Sequence, residues 1–107
     1  MAANLLRAGH AVTVHDANPE ATAALVKDLG ASYGATPAAT AAGKEIVFTS
    51  LPGPTEVEAV AMGAVGLLGA MSAGTVYVDL STNAPSTVRR LEQEFAAKGV
   101  AMLDAPV

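Results

Sequence analysis

Thr75-Val76-Tyr77-Val78-Asp79-Leu80-Ser81-Thr82-Asn83-Ala84-Pro85 decides how the rest of the chain reads. Thr75 to Leu80 is an apolar run of β-branched and aromatic residues interrupted only by Asp79, which predicts a covered parallel strand. Ser81-Thr82-Asn83 places small polar side chains where that strand ends. Pro85 suits the first turn of a helix, where no backbone N–H partner is lost. Open α/β sheets bind ligands at the carboxyl ends of their strands, so these hydroxyls stand where chemistry is usually done.

The same alternation extends in both directions. Upstream, Ile46 to Ser50 reads as a buried strand and Leu51-Pro52-Gly53-Pro54 as a loop. Pro54 then opens a helix that buries Val57, Val60 and Ala61, and Gly66 to Met71 adds a further turn or short helix. Downstream, Pro85 to Lys98 is amphipathic: Val88, Leu91 and Phe95 face inward, and Arg90, Glu94 and Lys98 form an outward ladder at i, i+4. Val100 to Leu103 is the last strand. Nearer the start, Met1 to Ala8 reads as a helix closed by Gly9, and Ala11 to His15 as a strand. Asp16-Ala17-Asn18-Pro19 breaks that strand. A helix then runs from Pro19 to Leu29 with Asn18 as its cap and Ala21, Leu25 and Leu29 as its buried stripe. Gly30 ends it. Ala31 to Tyr33 is a weak edge strand, and Thr36-Pro37 caps an Ala-rich helix ending near Gly43. Strands alternating with helices predict right-handed βαβ units and a parallel sheet.

Composition excludes several classes. A chain of 107 residues forms one domain at most, and 51% hydrophobic residues suffice for a core. Net charge is −4 and the six basic residues are scattered, so no basic stripe offers itself to nucleic acid. The lack of cysteine removes disulfides and thiolate metal sites and fits a cytoplasmic protein. Met1 to Arg7 has no charged segment ahead of an apolar one, so it is a poor signal peptide. Ala59 to Val78 is uncharged and long enough to span a bilayer. Its glycines (Gly63, Gly66, Gly69, Gly74) and its strand-like end instead predict a buried helix, a turn and a strand, with no membrane partner.

Three places carry candidate chemistry. Asp16 ends a strand and precedes a helix. An acid there accepts hydrogen bonds from adenosine ribose hydroxyls in dinucleotide folds, but an aspartate that starts a turn or caps a helix has the same spacing. Leu51 and Pro52 follow a strand in a stiff loop whose backbone suits contact with a cofactor, or only a turn. Ser81 and Thr82 offer hydroxyls to a nicotinamide, a ribose or a substrate oxygen, or cap the helix at Pro85. His10 and His15 lack a third ligand and read as solvated or hydrogen-bonded, not metal-bound. No nucleophilic triad can be assembled. Asp104, ahead of Ala105-Pro106, reads as ordering a turn.

Asp79-Leu80-Ser81-Thr82 resembles the D-x-S-T segment of the β-hydroxyacid dehydrogenases, the family of 3-hydroxyisobutyrate dehydrogenase, tartronate semialdehyde reductase and 6-phosphogluconate dehydrogenase. Met1-Ala2-Ala3-Asn4-Leu5-Leu6-Arg7-Ala8-Gly9-His10 is similar to that family's first helix, P-M-A-x-N-L-x-x-A-G-H. Val14 to Pro19 fits its V-x-D-x-x-P. Leu51-Pro52 and Asp104-Ala105-Pro106-Val107 follow in the family's order. The resemblance implies an NAD-binding Rossmann domain, with Asp16, Leu51, Pro52 and Thr82 at the cofactor and Ser81 at the substrate. It implies NAD over NADP, because Ala17 supplies no cation for the extra phosphate. The parent reaction would be hydride transfer between a small 3-hydroxyacid and nicotinamide.

The family's first strand and G-x-G-x-x-G loop would precede Met1. Its S-G-G would follow Val107, and its catalytic lysine lies in a later helical domain. The expectation is therefore a partial Rossmann domain over residues 1–107, a fragment or a reading frame begun at an internal start, with no catalytic residue of its own. The rivals are a non-catalytic remnant and an unrelated flavodoxin-like α/β domain. A sheet of order 3-2-1-4-5-6 has its first strand in the middle. The strands Ala11–His15 and Ile46–Ser50 should flank that position, either pairing directly or leaving open edges. Marginal stability and self-association are expected, with the three later strands the most persistent.

Overall fold

Residues 1–107 are all described by a computed structural model. Three helices begin on proline: α3 (Pro37–Ala41), α4 (Pro54–Met62) and α6 (Pro85–Ala97). Proline's fixed φ and missing N–H cost nothing at that position. Thr36 caps α3, its Oγ1 accepting the Ala39 amide at 3.0 Å. The others are α1 (Ala2–Arg7), α2 (Glu20–Leu29) and α5 (Leu67–Ala70). Asn18 accepts the Glu20 amide at 3.2 Å, so its capping contact forms although α2 starts one residue later than Pro19. Gly30 closes α2 at φ 77°, a left-handed conformation that glycine adopts without penalty.

Five parallel strands form two separate sheets. β1 (Thr13–Val14) pairs with β2 (Ser32–Tyr33), and β3 (Ile46–Thr49) with β4 (Val76–Asp79) and then β5 (Ala101–Asp104). β1 and β3 are not hydrogen-bonded to each other. The orders β2-β1 and β3-β4-β5 match the two sides of the doubly wound order around its first strand, and β1 and β3 each keep an unpaired edge. Direct closure of β1 onto β3 does not occur.

The core lies on one face of the larger sheet. Val47 and Tyr77 meet Val57, Ala61, Leu67, Met71, Leu91, Phe95 and Val100 there. Tyr77 and Phe95 stack tilted, with centroids 4.9 Å apart. The opposite face is open: Ile46, Phe48 and Leu103 are exposed, and Val76 and Val78 are only half-buried. The covered strand expected at Thr75–Leu80 is thus buried on one side only. α1 and α2 explain this, since they pack on each other and α1 buries no residue.

Three further expectations change. In α2 the stripe Ala21–Leu25–Leu29 is not buried; Ala21 is exposed, the leucines are half-buried, and Thr22 is the residue that goes inside. Thr22 can do so because its hydroxyl donates to the Pro19 carbonyl at 3.1 Å. In α6 the inward set is Thr87, Leu91 and Phe95, with Val88 half-buried. The outward ladder does not pair along the helix: Arg90 meets Glu58 of α4 at 2.6 Å, and Lys98 donates to the Leu68 carbonyl of α5. Ala59 to Val78 divides among α4, α5 and β4, and no helix is long and apolar enough to cross a membrane.

Candidate functional site

Parallel strands end together, and the last residues of β3, β4 and β5 are Thr49, Asp79 and Asp104 in register. Thr49 and Asp79 point to the core face, and Asp79 is fully buried. A buried carboxylate must be given donors, and this one has three. Its Oδ1 accepts from Thr49 Oγ1 at 2.8 Å and from the Ser81 amide at 3.1 Å, and its Oδ2 accepts from Asn83 Nδ2. Thr49 spends its single hydroxyl proton on Asp79, so the Tyr77 phenol, 2.9 Å away, must donate to Thr49. Burial pushes the Tyr77 phenol well above its usual range and keeps it a donor. The result is a one-way chain, Tyr77 to Thr49 to Asp79.

This cluster joins two loops. Ser81 Oγ accepts the Leu51 amide at 2.8 Å, and the Leu80 amide donates to the Thr49 carbonyl at 2.8 Å. The segments 50–53 and 81–84 are therefore tied to each other directly as they leave the sheet. Ser81 is buried in the joint, its hydroxyl proton directed to no partner in the chain, whereas Thr82 and Pro52 are exposed and Leu51 is half-buried. Asn83 Oδ1 is shut off from solvent and has no hydrogen-bond partner. The turn after β5 is held by backbone: Ala105 donates to the Asp79 carbonyl at 2.9 Å and Val107 to that of Leu80 at 3.3 Å. The Asp104 side chain, expected to order this turn, is exposed.

Asp16 stands in the other sheet, just past β1. Its Oδ1 accepts the Asn18 amide at 2.9 Å and its side chain is exposed, so it builds the turn and still offers its second oxygen outward. The structure thus groups Leu51, Pro52, Ser81 and Thr82 and holds Asp16 apart from them. His15 hydrogen-bonds the Gly34 carbonyl through Nδ1 at 2.8 Å. A cleft of about 310 Å³ over α2, between Pro19 and Tyr33, contains none of the candidate residues.

The sequence reading did not see Thr49, Tyr77 and Asn83 as site residues, and it used Asp79 only as a motif letter. The signal was available: a lone acid inside a buried strand needs donors from its neighbours, and Thr49 closes the adjacent strand.

Compared with known proteins, residues 1–107 match the family described as the NAD binding domain of 6-phosphogluconate dehydrogenase. The chain is 42% identical to the 3-hydroxyisobutyrate dehydrogenase of Pseudomonas aeruginosa, over 100% of its own length and 36% of that protein. Among solved structures it superimposes on 3-hydroxyisobutyrate dehydrogenase of Mycobacterium tuberculosis with L-serine at TM-score 0.87 and 28% identity, covering 99% of this chain and 35% of that one. It superimposes on a reductive aminase of Aspergillus terreus with NADPH and ethyl levulinate at TM-score 0.80 and 28% identity, covering 99% and 36%. The chain therefore spans just over a third of the length of the relatives it matches.

Proposed function

Because this chain belongs to the family of the NAD-binding domain of 6-phosphogluconate dehydrogenase, we propose that it binds a nicotinamide dinucleotide along the carboxyl ends of β1, β3 and β4. The observation that carries this reading is the joint between Leu51 and Ser81, which ties the loop carrying exposed Pro52 to the loop carrying exposed Thr82. The donor set fits such a ligand. Thr82 has an exposed hydroxyl for nicotinamide or its ribose, and the backbone of Leu51-Pro52 provides a stiff surface for the cofactor. Asp16 has an exposed carboxylate oxygen for the adenosine ribose and pairs with no cation, which favours NAD over NADP. When bound, the nicotinamide ring supplies the hydride chemistry; the chain's part is to bind and orient it.

In a protein as long as its relatives, the substrate would be a small 3-hydroxyacid. Ser81 is then the substrate candidate through its uncommitted hydroxyl proton. The full reaction would need an acid/base group from elsewhere, so the chain alone should bind cofactor without turning over a hydroxyacid.

The test is an NADH titration of the chain followed by amide NMR. The Leu51, Thr82 and Asn83 signals should shift together, and Thr82→Ala should weaken binding about three- to tenfold, the loss of one hydrogen bond. Absence of binding, or shifts confined to other surfaces, would overturn the reading.

A further inference from the structure

We propose that Asp79 is a positioning residue that fixes the polarity of the Asn83 amide, so that Asn83 Oδ1 is presented as an acceptor to a donor group of the bound dinucleotide, a carboxamide or a hydroxyl. The inference rests on the functional reading above and assigns a residue that reading does not use.

An amide is nearly symmetrical in shape but not in chemistry. Asn83 Nδ2 faces Asp79 Oδ2. Turned over, the amide would set its oxygen against a carboxylate, acceptor against acceptor. Asp79 cannot turn to relieve this, because its Oδ1 is held by the Thr49 hydroxyl and the Ser81 amide. The direction of the Asn83 side chain is thus dictated from the core. Its Oδ1 is left shut off from solvent and unpaired, beside exposed Thr82 in the loop that enters α6. Unpaired buried acceptors are rare and destabilising, so one next to a candidate ligand site calls for a donor, which a water, an ion or the ligand itself can supply.

Swapping the acceptor tests this. In Asp79→Asn, the new carbonyl still accepts from Thr49 and Ser81, while the new amide group faces Asn83. Asn83 then reverses and offers NH2 where it had offered oxygen. The fold survives, and NADH affinity falls about tenfold. In the double variant Asp79→Asn with Asn83→Asp, the new carboxylate accepts from the new amide and keeps an oxygen where Asn83 Oδ1 had been, so affinity returns to within about threefold of the unsubstituted chain. Asn83→Ala keeps the Asp79 carboxylate but removes one of its three donors together with the acceptor, and also lowers affinity. A purely structural role for Asp79 predicts instead that affinity follows thermal stability through the series.

Unchanged affinity in Asp79→Asn or in Asn83→Ala, or no recovery in the double variant, overturns the proposal. A ligand-free readout separates its failure from that of the functional reading. The Asn83 side-chain NH2 protons should exchange more slowly than those of exposed Asn4 and Asn18, and the Asp79→Asn change should abolish that protection. Exchange as fast as Asn4 in the unsubstituted chain overturns the orientation. Slow exchange in a chain that takes up no NADH overturns the functional reading and the ligand half of this proposal together.

Discussion

Tyr77 and Asp16 carry opposite kinds of information at the scale of one residue. Tyr77 is an acid held away from water. Burial raises its phenol above the ordinary 10.0, and the charges of Asp79 and Asp104 reinforce this. The folded chain keeps that proton at pH values where the unfolded chain has lost it. Stability from this group is therefore whole below pH ~10 and falls above it, by up to about 1.4 kcal/mol per pH unit. Urea midpoints between pH 8 and 11 should show that fall, and Tyr77→Phe should flatten it while costing about 1 kcal/mol at neutral pH through the lost hydrogen bond to Thr49. A variant with an unchanged alkaline slope would contradict the account. Asp16 is exposed and its effect is on ligand choice. Replacing Asp16→Ala together with Ala17→Arg removes a repelling charge and adds a phosphate partner, so the affinity ratio of NADH to NADPH should shift by about tenfold or more towards NADPH. An unmoved ratio removes Asp16 from the ribose site.

Elements differ in how much of their stability their own sequence can supply. α6 buries Leu91 and Phe95 completely, and Phe95→Ala should cost about 3–5 kcal/mol. α2 only half-buries Leu25, so Leu25→Ala should cost about 1 kcal/mol. Chemical denaturation of the two variants checks both; equal losses would show that α2 is covered in solution. This contrast also marks the limit of reading the sequence. α6 was legible because its apolar residues have a sheet to pack on, and every helix that begins on proline was legible because proline acts locally. The stripe of α2 has the same periodicity as that of α6, but a pattern does not say what covers it. Register is non-local too, so the strand positions of Thr49 and Asp79 could be read while their hydrogen bond could not. Leu51, Pro52, Ser81 and Thr82 were found as neighbours of strand ends; that Ser81 ties the loops together needed the fold.

For the whole molecule the decisive fact is that the strands form two sheets, in which β1 and β3 each lack a hydrogen-bonded neighbour on one side. β1–β2 has two residues in each strand and β3–β4–β5 has four in each, with the core on the latter. Hydrogen exchange should therefore protect Val76 to Asp79 far more than Thr13 and Val14. The open edge and the exposed Ile46, Phe48 and Leu103 should drive self-association, visible by light scattering and reduced by Phe48→Lys. A monomer that melts in one sharp transition, with both sheets equally protected, would refute this. The larger sheet grows in chain order, and that has a temporal meaning. Ile46 pairs with Val76, 30 residues on, and Val76 with Ala101, 25 residues on. Closing those two loops differs by only about 0.2 kcal/mol, so loop entropy does not choose which pairing comes first. Synthesis does. A ribosome adding 5–20 residues per second takes roughly 2–6 s to go from Thr49 to Asp79, and for that interval Ile46–Thr49 is a finished apolar strand with no neighbour to receive it. β4 is the piece on which both sides wait, and the nascent chain is most vulnerable to chaperones, proteases and its own kind just before β4 emerges.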